Sequence, residues 1–155
     1  LHLMIMDPGR YIRLFADAGV DIIYFHPDAD KEPKAVIEKI RERGLKPGIA
    51  INPETTIESM FDYYDLVDNV LVMGVKPGHA GHLYLPHVDQ KLEKLVAIKN
   101  RYNLEIIIDG ACSLERMIKW SKQNIDGFVL GTSSLFGHRN TYKEIIDNIK
   151  RECGE

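Results

Sequence analysis

The sequence predicts an α/β fold, a (βα)8 TIM barrel in which about six strand–helix units are present and the first two are missing. Three observations carry that expectation. Strand-length apolar runs of five to seven residues recur at regular spacing, and amphipathic segments with helix-end signals lie between them. Such alternation implies a parallel sheet with right-handed crossovers. A doubly wound open sheet would accommodate it too. The third observation selects the barrel: 155 residues beginning abruptly at Leu1, where a whole barrel takes roughly 200 to 250. The expectation is one incomplete barrel domain over residues 1–155, the later part of a longer chain.

Each element has its own warrant. The strands are expected at Leu1 to Met6, Asp21 to His26, Lys46 to Asn52, Asn69 to Val75, Glu105 to Asp109 and Gly127 to Gly131. Most are rich in Ile, Val, Leu or Met, as suits strands covered on both faces. After the first, Asp7-Pro8 sets a capping acid before a proline suited to a first helical turn, and Gly19 closes that helix. Gly44 ends the second helix. Thr55 to Glu58 has capping-box spacing after the third strand, as does Thr141 to Glu144 before the last helix. Between Pro86 and Arg101, Val88, Leu92, Leu95, Val96 and Ile98 recur near helical spacing. Ser113 can cap a helix carrying Met117, Ile118 and Trp120. These apolar stripes read as core packing.

Composition narrows the function classes. Twenty Lys and Arg against 23 Asp and Glu leave a formal net charge of -3, so there is no broad basic field for nucleic acid or an anionic membrane. No apolar run approaches the roughly 20 residues of a membrane span. Two cysteines, Cys112 and Cys153, are too few and too scattered for a disulfide framework or a zinc site, and suit a reducing cytoplasm.

In either α/β architecture the active site lies at the carboxyl ends of the strands. Those ends carry His2 with Met4, His26, Asn52, Met73 with Lys76 beyond, Asp109 and Gly131. Asp109 closes an apolar run, where an acid is unfavourable unless paired, metal-bound or catalytic. It could instead cap the following helix, but Ser113 already serves. Three small-residue turns follow late strands: Pro77-Gly78-His79-Ala80-Gly81, Asp109-Gly110-Ala111 and Gly131-Thr132-Ser133-Ser134. Their amides could converge on an anion, and barrels often bind phosphate in their last two loops. Short loops also favour Gly and Ser for purely local reasons. His2 points toward the barrel mouth with Asp109; His26 is explained equally by packing with a polar contact or by ligation. His79 and His82 could touch substrate, whereas His87 and His138 read as helix-end residues. No histidine pair has metal-binding helical spacing. Lys76, in a loop before Pro77, reads as solvated rather than as a Schiff-base lysine.

Taken as a set, His2-Leu3-Met4, the strand from Asp21 to His26, Asn52-Pro53-Glu54-Thr55, Met73 to Gly81, Asp109-Gly110 and Gly131-Thr132 resemble the ribulose-phosphate 3-epimerase family over nearly the whole chain. Ala80, Cys112 and Gly131-Thr132-Ser133 leading to Leu135-Phe136 look more like its D-allulose-6-phosphate branch. The resemblance implies epimerisation of a ketose phosphate at C3 through an enediolate. It also implies a divalent metal (Zn, Fe, Mn or Co type) on two histidines and two aspartates. His2 matches one histidine ligand, which also places it beside substrate, and Asp109 one aspartate that also exchanges a proton. Substrate or phosphate contacts are implied at Gly78, His79, Ala80, Gly81, Gly110, Ala111, Gly131 and Thr132. The remaining ligands and an early serine belong to the first two units, so the chain alone is expected to be inactive. His82, Lys76 and His79 stand where the family usually has Gln, an acid or Asn, and Phe, which puts lid contacts and sugar preference in doubt. The expected partner is a small sugar phosphate, with no nucleic acid and no membrane, in a homo-oligomer. Competing readings are a phosphate-binding lyase or aldolase using Lys76, and a sugar-phosphate-binding fragment without turnover.

Overall fold

The computed structural model describes residues 1–78 and 81–154. Six strands, β1 (His2–Leu3), β2 (Ile22–Phe25), β3 (Lys46–Ile51), β4 (Asn69–Met73), β5 (Glu105–Asp109) and β6 (Gly127–Phe128), form one sheet in sequence order. Every neighbouring pair is parallel. Helices α1 (Ile12–Asp17), α2 (Pro33–Glu42), α3 (Phe61–Tyr64), α4 (Val88–Tyr102), α5 (Leu114–Ser121) and α6 (Tyr142–Cys153) follow the strands in turn.

Strand alternation sorts the side chains into two cores. Ile49, Ile51, Val70, Val72, Ile106 and Ile108 face outward, where they pack with helix residues such as Leu92, Leu95 and Trp120. Tyr24, Ala50, Leu71, Met73 and Val75 form a separate inner cluster. Two faces buried at once is why these strands read as continuous apolar runs. The inner face has little room: a Cβ on Gly48 would lie 2.5 Å from Cδ1 of Tyr24, so the glycine opens the place that the tyrosine ring occupies.

The sheet is strongly curled. In a flat sheet β1 and β5 would stand four strand spacings apart, about 19 Å. Yet Nδ1 of His2 on β1 lies 3.1 Å from Oδ2 of Asp109 on β5. Six parallel strands curved this far, with helices outside, make the expected partial barrel. Its two edges, β1 and β6, are the shortest strands, with two residues each.

Several local expectations are corrected. The first strand stops at Leu3 rather than Met6. Asp7 takes the left-handed region (φ 51°) and its amide donates to the Ala29 carbonyl at 2.9 Å, which draws the chain out of the ladder. Asp7 therefore makes no capping bond to the short 3-10 turn Pro8–Arg10. The sixth strand ends at Phe128 rather than Gly131, although Val129 still donates to Ile108. Thr55 forms no capping box, because its amide turns back to the Asn52 carbonyl at 3.1 Å. Thr56 takes over by accepting from the Ser59 amide.

The other caps form as read. Gly19 and Gly44 take positive φ behind α1 and α2. Ser113 accepts from the Arg116 amide, and Thr141 with Glu144 closes a full capping box on α6. No residue of α6 is fully buried, so that box carries much of the helix's start. Thr141→Ala should destabilise the protein by about 1 kcal/mol, with Thr141→Ser near neutral, as read by urea unfolding.

Candidate active site

The upper end of the arc gathers most of the polar strand-end groups. Asp109, last in β5, hydrogen-bonds His2 through one carboxylate oxygen. The other ring nitrogen of His2 stands 3.0 Å from Nε2 of His26. His26 follows β2 and is buried; that burial, then the neighbouring His2, lowers its pKa. Two strand-end histidines and an aspartate thus form one chain of contacts across the concave face. Reading from the sequence left His26 open between packing and ligation, and its polar contact is with His2.

A cavity of about 700 Å³ opens beside Asp109. Among the described residues, Asp109 is the one acid in its wall. Gly110 and Ala111 line it directly after that acid, Gly78 and Gly81 line it from the loop after β4, and Gly131 and Thr132 from the loop after β6. His79 and Ala80 lie outside the described residues. Met4, Met73 and Val75 supply apolar wall. His2 reaches Asp109 without lining this cavity.

The backbone of two turns is unusual. Gly110 (φ 101°) and Ala111 (φ 51°) are consecutive left-handed residues, a strained arrangement of the kind that collects at functional sites. A Cβ on Gly110 would come within 2.6 Å of Val75. In the last turn the amides of Ser134, Leu135 and Phe136 all fold back on the Gly131 carbonyl. Thr132 and Ser133 are therefore the turn's amides with no bond back to that carbonyl.

Other expectations resolve similarly. Lys76 is exposed at the cavity rim and lacks the desolvation a Schiff-base lysine needs. His82 also lines the cavity. Cys112 is fully buried, donates to the Ile108 carbonyl and has its thiol pushed up to about 12 by burial, so it faces the outer core rather than a ligand. His87 precedes α4, 3.7 Å from Glu54, and His138 is exposed.

Two features escaped the sequence reading. Lys91 is buried in α4 and donates to the carbonyls of Asn52 (2.5 Å) and Pro53 (2.8 Å), clamping the loop after β3. Its signal was its place on the apolar stripe between Val88 and Leu95. Burial lowers its pKa to about 8, so between pH 8 and the unfolded value near 10.4 the unfolded chain binds more protons. Stability of the wild type relative to Lys91→Met should therefore rise through that window, by on the order of 2 to 3 kcal/mol, in urea titrations at pH 7.5 and 10. The second feature is Arg116, whose guanidinium lies 3.6 Å from the centre of the Tyr84 ring and lines the cavity.

A divalent cation can be tested against this donor set. Two ligands at about 2.1 Å from one metal stand about 3.0 to 3.4 Å apart, and the His2–Asp109 pair is spaced at 3.1 Å. The pair fits two coordination positions. Among the described residues no cluster of three or more His, Cys, Asp or Glu side chains is arranged to hold a metal.

Known proteins match the chain along nearly its whole length. The model of the "Ribulose-phosphate 3 epimerase family" matches residues 1–136. A ribulose-phosphate 3-epimerase of Schizosaccharomyces pombe is 31% identical over 150 residues, covering 96% of this chain and 64% of its own length. That of Escherichia coli K12 is 31% identical over 160 residues, covering 100% and 69%, and that of Bacillus subtilis 33% over 151, covering 95% and 69%. The chain thus spans about two thirds of the length of these relatives. Among solved structures, mandelate oxidase superposes with a TM-score of 0.65 at 15% identity, covering 97% of this chain and 55% of that one. Tryptophan synthase from M. tuberculosis gives 0.59 at 13%, covering 94% and 54%. These two share the fold alone. By its matched residues and its relatives, the chain belongs to the ribulose-phosphate 3-epimerase family.

Proposed function

We propose that this chain supplies the larger share of a ketose-phosphate 3-epimerase site, with Asp109 as one of its two acid–base groups. The observation that carries the reading is the position of Asp109. It is the one acid in the cavity wall among the described residues, it is bonded to His2, and it opens directly into the left-handed Gly110-Ala111 turn.

Epimerisation removes the C3 proton from one face of the substrate and returns a proton to the other. Asp109 takes or gives that proton on its own face. His2 fixes the carboxylate's orientation, and His26 holds His2 from behind. The amides of Thr132 and Ser133, together with the Gly110-Ala111 turn and with Gly78 and Gly81, cradle the phosphate, while Met73 and Val75 exclude water beside C3. A divalent cation held by His2 and Asp109 would offset the negative charge that develops as C3 loses its proton.

The relatives favour D-ribulose 5-phosphate as the first substrate to assay, with D-allulose 6-phosphate second. Cys112, one of the residues resembling the allulose branch, is buried away from the cavity and lends that sugar no support. With a single acid at the cavity among the described residues, the chain by itself should not turn over. Adding the first two strand–helix units of the E. coli relative, by fusion or as a separate peptide, should bring epimerase activity. Activity of the lone chain would refute the division of labour; lack of activity in a folded, phosphate-binding assembly would refute the function.

A further inference from the structure

Arg116 occupies a place that helix electrostatics disfavours. It is the third residue of α5, after the Ser113 cap and Leu114 and Glu115, and the helix dipole favours anions in a first turn and opposes cations. Its partners within the protein do not neutralise it. One guanidinium nitrogen donates to the Ala111 carbonyl, and the plane lies against the Tyr84 ring. Neither partner carries a negative charge. Asp89 is close enough to feel its field, but Asp89 is occupied by Lys119 at 2.6 Å and by the Tyr84 hydroxyl at 2.5 Å. Among the described residues no carboxylate forms an ion pair with Arg116. With Asp89 committed to Lys119 and Tyr84, Arg116 stands as a half-buried cation on the wall of the cavity.

A cation braced on two sides and left without a counter-ion is organised for an external anion. Arginine presents a rigid fork of donors that matches phosphate oxygens. The Ala111 bond and the Tyr84 face consume little of that fork, and they hold it beside the turn that follows Asp109.

We propose that Arg116 determines specificity for the phosphorylated end of the substrate, donating a charge-assisted hydrogen bond to a phosphate monoester, with Tyr84 as its positioning residue. This deepens the epimerase reading and rests on it. Lys76 and His82 also line the cavity. Lys76 is exposed, so its contribution should be diffuse and easily screened.

The test is calorimetric titration of the folded chain with inorganic phosphate, D-ribulose 5-phosphate and unphosphorylated D-ribulose. Arg116→Met should weaken binding of both phosphate compounds about ten- to hundredfold and leave D-ribulose unchanged. Arg116→Lys keeps the charge and the fold but loses the fork, and should fall between; it also carries the test if the Met variant fails to fold. Lys76→Met should change phosphate binding less than threefold. The proposal is overturned if Arg116→Met and Arg116→Lys bind phosphate as the wild type does, if they weaken phosphorylated and unphosphorylated sugar alike, or if Lys76→Met is the damaging change. Failure of the wild type to bind either phosphate compound would instead remove the epimerase reading on which the proposal rests.

Discussion

Asp109→Asn should lower C3 proton transfer by about a thousandfold in an assembly that turns over D-ribulose 5-phosphate, within the 10² to 10⁴ range of a lost acid–base group. The substitution preserves shape and can still hydrogen-bond His2, so the orientation of His26 and His2 should persist. What disappears is the basic oxygen. KM should move much less than kcat, because the phosphate is held by other turns. Thermal stability should change by no more than a few degrees, since Asp109 is only partly buried. Deuterium wash-in at C3 followed by NMR measures the step directly. Exchange within tenfold of the wild type would assign the base to another residue.

Gly110→Ala should be the most disruptive small substitution at this end of the barrel. Two independent penalties meet there. The left-handed φ of 101° disfavours any L side chain by about 1 to 2 kcal/mol. A Cβ would also stand 2.6 Å from Cγ2 of Val75, itself buried on the inner face, which adds about 1 to 3 kcal/mol of overpacking. The sum, about 2 to 5 kcal/mol, should appear in urea unfolding. Pairing it with Val75→Ala separates the causes: the double variant should recover the steric part and keep the backbone part. Full recovery would show that the backbone is not strained.

Most of the architecture was legible in the sequence, for a physical reason. Strands buried on both faces leave unbroken runs such as Val70 to Met73 and Ile106 to Ile108, and no polar alternation blurs them. Caps defined by one or two neighbouring side chains, at Ser113 and Thr141, were readable too. Less legible was whatever depends on distant partners. The first strand ends early because Asp7 bonds Ala29, and Thr55 leaves its box because Asn52 captures its amide. At the site, Asp109 and the small turns stood out as breaks in an apolar pattern. The His2–His26 contact and the Arg116–Tyr84 brace required the curl of the sheet and the fold of the loop after β4. Arg116 did leave one trace, a cation in a helix's first turn, where a local rule is broken.

The brevity of the two edge strands bears on how the protein meets other polypeptides. β1 and β6 each offer two ladder residues, flanked by exposed Met4 (57%), Met6 (71%), Val129 (41%) and Phe136 (48%). Two ladder residues give a neighbouring strand few backbone hydrogen bonds to share. Whatever strand lies beside either edge is therefore held more by side-chain packing on this apolar rim than by its ladder, so its place should depend on sequence more than on backbone length.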